Sequence, residues 1–212
     1  MGAMLEDTEQ ERLGLFLVVD GVDGCGKTTQ AARLADALEV EPGLRLREPG
    51  STALGESLRA LLLSEVFEIE AGVETLLFAA ARRQMLNELV APALAAGKTV
   101  VCERFHPSTY AYQSVAGKLD GQAVLGLLRE WAGAPSPDLL VLLDIDVEQA
   151  AARRGAATDR IEAKGIEFQR RVAEGYRKYA QFEPRAVTVD GLGSPDEVHT
   201  RVMQEVQRVR NF

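Results

Sequence analysis

One stretch constrains this chain more than any other: Asp20-Gly21-Val22-Asp23-Gly24-Cys25-Gly26-Lys27-Thr28-Thr29. It contains the spacing G-x-x-x-x-G-K-[ST], running from Gly21 to Gly26, Lys27 and Thr28. Before it lies Leu15-Phe16-Leu17-Val18-Val19, an unbroken apolar run that reads as a buried strand. After it, Gln30-Ala31-Ala32-Arg33-Leu34-Ala35 is rich in helix formers. A glycine-rich turn between a buried strand and a helix is the setting of a phosphate-binding loop, and these flanks argue against a chance turn. Glycines let the backbone turn with its N–H groups facing inward. Those groups and the positive end of the following helix attract phosphate oxygens. Residues Gly21, Val22, Asp23, Gly24, Cys25, Gly26, Lys27, Thr28 and Thr29 are therefore expected to cradle a nucleoside triphosphate. Lys27 is set to reach its β- and γ-phosphates, and the Thr28 hydroxyl to ligate Mg²⁺.

Composition narrows the class. The 212 residues suit one α/β domain, 1–212, and 46% hydrophobic with 26% charged residues is ordinary for a globular protein. A net charge of −8 argues against a general nucleic-acid binder. Cys25 and Cys102 have no metal-ligand spacing and fit a reducing, cytoplasmic setting better than a disulfide framework. No apolar run is long enough for a membrane span, and no signal peptide is apparent. Residues 1–13 are left outside the fold.

The pattern predicts strands at 15–20, 44–47, 99–102, 139–144 and 186–189. Between them it predicts helices at 27–39, 53–64, 72–96, from Pro107 onward, 120–132, 147–154 and 162–181, with a last helix at 195–210. Pro92 is expected to kink the long helix and Gly97 to end it. Strands alternate with helices five times, and near-continuous apolar strands fit a five-stranded parallel sheet covered on both faces. Ligands then belong at the carboxyl ends of the strands. Three of those ends carry charge besides the glycine loop: Arg47-Glu48-Pro49-Gly50, Glu103-Arg104-Phe105 and Asp144-Ile145-Asp146.

Two further clusters stand out. Arg153-Arg154 and Thr158-Asp159-Arg160 straddle a small-residue loop. As a surface feature this is a solvated helix end; as a functional one it is a lid, about 153–161, that brings arginines over transferring phosphates and excludes water. Phe78 and Arg82 lie four apart and share a helix face, where a ring and a guanidinium could stack on and hydrogen-bond a base. Spacing alone favours a core Phe beside a surface Arg.

Taken in order, these segments resemble the thymidylate kinase family from about residue 15 to 205. Arg47-Glu48-Pro49-Gly50-Ser51-Thr52 with Leu54-Gly55-Glu56 is similar to its REPGGT-x-LGE segment, and Leu76-Leu77-Phe78-Ala79-Ala80-Ala81-Arg82 to LLFAADR. Glu103-Arg104-Phe105, with Ser108 and Ala111-Tyr112-Gln113, resembles DRY-x-x-S-x-x-AYQ; Leu143-Asp144-Ile145-Asp146 resembles LDVD, and Asp159-Arg160-Ile161-Glu162 resembles DRIE. The resemblance implies a P-loop nucleoside monophosphate kinase-like three-layer sandwich that passes a phosphoryl group from MgATP to dTMP, giving dTDP for dTTP synthesis. It implies that Asp23 holds the sugar 3′-hydroxyl and that Phe78 stacks on thymine. Arg82 would hydrogen-bond the base, Thr109 and Gln113 would meet its edge, and Tyr112 would exclude a ribose 2′-hydroxyl. Arg104, helped by Arg47, would bind the acceptor phosphate. Lys27, Arg104, Glu103, Arg153 and Arg160 become the catalytic set, and Thr28 with Glu103 the Mg²⁺ site. Gly24 stands where some members carry a loop arginine, so the catalytic arginine is expected from the basic lid of the bacterial type, Arg153 or Arg154. Family members are commonly homodimers, and the same is expected here.

Departures from the pattern are Asp20 for a common Glu, Ser51 for the second glycine of REPGG, Ala81 for Asp, Thr158 for Leu, and Glu103 for the Asp of the DR pair. The extra methylene of Glu103 moves its charge outward by ~1.5 Å. Two other readings compete. One is a deoxynucleoside kinase with Asp20 or Glu103 as base toward a 5′-hydroxyl. The other is a non-catalytic nucleotide-binding switch, although no guanine-reading N-K-x-D is present.

Overall fold

The apolar runs form five short strands: β1 (Phe16–Gly21), β2 (Arg45–Arg47), β3 (Val100–Glu103), β4 (Leu139–Asp144) and β5 (Ala186–Asp190). The computed structural model describes residues 14–154, 161 and 164–210. The strands pair in the order β2-β3-β1-β4-β5, every pair parallel. Central β1 buries all six of its residues, which is why its sequence is continuous rather than alternating. Phe16, Leu17, Val18 and Val19 are wholly buried, and each such side chain contributes ~1.5–3 kcal/mol on leaving water.

Register decides where the site falls. Val19 aligns with Glu103 of β3, and Gly21 with Leu143 of β4. The glycine loop therefore leaves the sheet beside the ends of both neighbours. The first helix, α1 (Lys27–Ala37), packs against the last, α9 (Pro195–Arg210). After β2 come α2 (Ala53–Leu63), α3 (Ala71–Met85) and the short α4 (Ala91–Ala95). Beyond β3 come α5 (His106–Thr109) and α6 (Gly121–Ala132); beyond β4 come α7 (Val147–Arg154) and α8 (Ile166–Phe182). The chain crosses to strands on opposite sides of β1, and by the right-handed rule for parallel connections this puts helices on both faces of the sheet.

The predicted long helix at 72–96 runs instead as α3, a π-helical turn over Leu86–Val90, and α4. Pro92 has no N–H to donate and its ring crowds the carbonyl four residues back, so the helix widens just before it instead of breaking. Gly97 does end it, with φ 75° and Lys98 N–H donating to Ala93 O at 2.9 Å. A second π-helical stretch, Tyr110–Ala116, continues α5 and packs on α8. The helix expected from 162 begins at Ile166, after Gly165 at φ 84°. Helix α1 stops before the predicted 39, because Glu39 turns to φ 52° and Val40 N–H closes on Ala35 O at 2.9 Å.

Candidate active site

The glycine loop turns as its glycines were expected to let it. Gly21, Gly24 and Gly26 have φ of 147°, 88° and 96°. Space matters as much as dihedral: a Cβ on Gly24 would lie 2.0 Å from the Ala150 carbonyl oxygen of α7. The family's loop arginine thus has no room in this backbone. Thr28 and Thr29 are exposed at the start of α1, while Lys27 is buried.

Two concavities open on either side of this loop. One, about 940 Å³, is lined by residues 24–30, Arg153 and the segment after β5, including Gly191 and Gly193. The other, about 560 Å³, is lined by Asp23, Phe78, Arg82, Arg104, Thr109, Tyr112 and Gln113, among others. Arg153 Nη1 donates to Gly191 O at 3.0 Å across the first. Among the described residues, Arg154 Nε and Nη1 are buried and make no hydrogen bond. Arg160, Thr158 and Asp159 lie outside the described residues.

Asp23 lines the second concavity and meets the first through Lys27. Its carboxylate accepts from Lys27 Nζ at 2.9 Å, from Tyr112 Oη at 2.7 Å and from Arg104 Nη2. Burial opposes its charge, but Arg104, Lys27 and the Tyr112 hydroxyl outweigh burial and hold the carboxyl well below the usual range. Arg104 has φ 69°, a costly backbone for a non-glycine residue, and its guanidinium sits 5.6 Å from the Tyr112 ring centroid. Its Nη1 donates to Ser108 Oγ at 3.2 Å.

Ser108 leads to a residue that sequence reading assigned differently. Asp20 is fully buried and accepts five hydrogen bonds. Oδ1 takes those of Gly21 N, Ser108 Oγ and Tyr176 Oη, each at 2.8 Å. Oδ2 takes those of Phe105 N and Ser108 N at 3.1 Å. A carboxylate so enclosed is a brace between β1, α5 and α8, and it corrects the idea of Asp20 as a nucleoside base. Glu103, the other candidate base, accepts from Thr28 Oγ1 at 2.8 Å. That contact brings together the two residues read as the Mg²⁺ site. Their donors are all oxygen, as a hard cation requires. Among the described residues no group of three or more His, Cys, Asp or Glu could hold a metal alone. The pair therefore fits a cation held mainly by nucleotide phosphates, which is how Mg²⁺ usually binds.

The cavity that Arg82 lines departs from the surface arginine that spacing favoured. Arg82 is 1% exposed. Its Nε and Nη2 bond Glu48 Oε2 at 2.7 and 2.6 Å, and Nη2 also bonds Thr109 Oγ1 at 3.1 Å. Burial pushes the Glu48 carboxyl up to about 7 against the pull of Arg82. Phe78, half-buried, lines the same cavity.

Two strand ends contribute less than expected. Arg47 is exposed, pairs with Glu56 at 3.1 Å and does not line the cavity. It holds the turn after β2, where Ser51 takes φ 68° and offsets that strain by bonding Arg47 and Glu56. Asp144 pairs with Arg177 of α8 at 3.1 Å, and Asp146 caps α7 through the N–H groups of Glu148 and Gln149. Sequence reading missed Arg59, which lines the second concavity and donates to Pro49 O at 3.1 Å. It also missed the Gly191–Gly193 segment. The rule that ligands gather at strand carboxyl ends could have found that segment at the end of β5.

Parallel order 2-3-1-4-5, a glycine loop at the end of the central strand and cavities on both sides of it define a P-loop phosphotransferase of the nucleoside monophosphate kinase type. A family model described as thymidylate kinase matches residues 19–202. The thymidylate kinase of Rhodopseudomonas palustris is 41% identical over 207 residues, 92% of this chain and 89% of that protein. That of a Synechococcus species is 43% identical over 196 residues, 91% of this chain and 94% of that protein. The crystal structure of thymidylate kinase from Ehrlichia chaffeensis matches with TM-score 0.73 at 30% identity, covering 92% of this chain and 99% of that one. The chain belongs to the thymidylate kinase family.

Proposed function

We propose that this protein transfers the γ-phosphoryl group of ATP, with Mg²⁺, to the phosphate of dTMP, yielding dTDP for dTTP synthesis. The observation that carries the reading is the Asp23–Arg104 pair, which lines the cavity shared with Phe78 and Arg82 and reaches, through Lys27, the concavity beside the phosphate loop. Two anions must meet for this reaction, so fixed cations and exact placement supply most of the catalysis.

In this reading the loop from Gly21 to Thr29 wraps the triphosphate, with Lys27 exchanging Asp23 for phosphate oxygens. Thr28 and Glu103 hold Mg²⁺, which when bound neutralises charge on the transferring group. Arg104 and Arg59 receive the acceptor phosphate. Asp23 and Tyr112 lie against the sugar, with Tyr112 crowding a 2′-hydroxyl. Phe78 stacks on thymine while Arg82, Thr109 and Gln113 read its edge. Arg153 faces the donor phosphates, with Arg154 beside it in sequence; Arg160 keeps its role on resemblance alone.

The same reading takes the chain as one kinase domain with a lid near 153–161. It works as a homodimer in the cytoplasm, without nucleic-acid or membrane partners. Leu54, Leu61, Val73 and Leu76 leave an exposed apolar surface on α2 and α3 on which a second copy could pack. No helix among the described residues is long and apolar enough to cross a membrane. ADP release measured with ATP and Mg²⁺ across dTMP, dUMP, CMP, AMP, GMP and thymidine tests the reading. Turnover with dTMP far above the others is expected; turnover with thymidine alone would replace it with nucleoside kinase chemistry.

A further inference from the structure

Glu74 is an acid on α3 that the site described above does not use. It is 1% exposed and sits one helical turn before Phe78. Gln113 Nε2 donates to Glu74 Oε2 at 2.9 Å, and Lys164 Nζ stands 3.7 Å from Glu74 Oε1. Distance alone would not tell an amide nitrogen from an amide oxygen. The Lys164 ammonium beside the same group does, because a carboxylate paired with a cation accepts hydrogen bonds. Gln113 must therefore give Glu74 its NH₂. Its carbonyl oxygen is left on the opposite side of the amide. Gln113 lines the acceptor cavity, and no described residue donates to that oxygen.

Arg82 supplies the complement. With Nε and Nη2 engaged by Glu48 and Thr109, Nη1 is buried without a hydrogen-bond partner among the described residues. The cavity thus offers one fixed acceptor and one fixed donor. A 4-oxo pyrimidine presents an acceptor at O4 and a donor at N3–H. A 4-amino pyrimidine presents the reverse, a donor at N4 and an acceptor at N3.

We propose that Glu74 is a positioning residue for base selection. By holding the Gln113 amide through its nitrogen, it fixes an acceptor toward the base and makes the cavity select 4-oxo over 4-amino pyrimidine nucleotides. The inference rests on the dTMP reading above. A site whose buried polar groups are left unpaired by the wrong ligand discriminates far more sharply than an apolar one.

Glu74→Gln tests it. The new amide can accept through oxygen or donate through nitrogen, so it holds Gln113 in either sense. The expected result is a fall of about 10-fold in kcat/KM for dTMP, nearly all in KM, and a rise of about 100-fold in the dCMP-to-dTMP ratio of kcat/KM. In a Gln113→Ala background, adding Glu74→Gln should leave that ratio unchanged. If Glu74→Gln fails to fold, Glu74→Asp withdraws the same oxygen by one methylene and is read in the same way. A ratio equal to wild type, with both substrates slowed alike, would make Glu74 merely structural and overturn the inference. So would ratio effects that simply multiply in the double variant. Absence of dTMP turnover by the unmodified protein would instead overturn the reading of the reaction, and this inference with it.

Discussion

Replacing Gly24 with alanine tests how tightly the phosphate loop is built into the fold. Two costs arise at one position. Gly24 has φ 88°, where an L side chain costs roughly 1–2 kcal/mol. The added Cβ would also sit 2.0 Å from the Ala150 carbonyl oxygen, whereas ordinary contact begins near 3.4 Å. The obstacle is helix backbone and cannot swing aside, so loop and α7 must separate by about 1.4 Å. A displacement of ~1 Å at a reacting centre costs on the order of 100-fold in rate. Gly24→Ala should therefore lower kcat/KM for ATP by about 100-fold. The stability loss should be at least the roughly 1–2 kcal/mol of the backbone cost, a fall in Tm of at least roughly 2–8 °C for a chain of this size. Steady-state kinetics with ATP varied at saturating dTMP, beside a thermal melt, measure both. A variant within threefold of wild type in kcat/KM would refute the claim that α7 backbone fixes the loop.

The remaining predictions concern groups that behave differently from their surface counterparts. Lys27→Met should cut kcat by about 100- to 1,000-fold, in the range for removing one preorganised donor, and near-normal turnover would refute its role toward phosphate. Asp20→Asn should cost about 2–5 kcal/mol. The Ser108 and Tyr176 hydroxyls can rotate to face the new NH₂, but Gly21 N–H is left facing a donor and the charge-assisted bonds weaken. A urea titration checks this, and a loss under 1 kcal/mol would contradict the brace assigned to it. Glu48 makes stability depend on pH in a stated direction. Its folded pKa of about 7 lies above the ordinary value of 4.5, so between them the unfolded chain releases a proton that the folded chain keeps. Its contribution is full below about 4.5 and is lost as pH rises through about 7, on the order of 3 kcal/mol in all. Unfolding free energies from pH 5 to 8 should fall less steeply in Glu48→Gln than in wild type; parallel profiles would contradict this.

Local patterns revealed the frame of the site, while long-range register decided which residues serve it. The glycine loop was legible because its function depends on spacing within ten residues and on the strand and helix beside it. Continuous apolar runs likewise marked a parallel sheet. What could not be read locally was the fate of individual charges. Arg47 and Arg59 are both arginines near the REPG turn, yet Glu56 draws the first outward and the packing of α2 turns the second to the cavity. Asp20 looks like a site carboxylate at a strand end, but residues 88 and 156 positions away supply its donors. Glu74 looks like a surface acid in a helix, yet Gln113, 39 residues on, and Lys164 meet it in the fold. Asp144 and Asp146 are claimed by Arg177 and by the start of α7. Helix boundaries shifted for local reasons of a different kind: Pro92, Glu39 and Gly165 each stop or reshape a helix through their own backbone.

The central claim is that phosphate passes from a nucleotide on the glycine loop to the phosphate of dTMP held beside the Asp23–Arg104 pair. Its most direct test follows radiolabel from [γ-³²P]ATP with dTMP as acceptor and Mg²⁺ present, separating the products. The account predicts label in the β-phosphate of dTDP, with one ADP formed for each dTDP. Label appearing only as inorganic phosphate, or in neither product despite ATP binding, would contradict it.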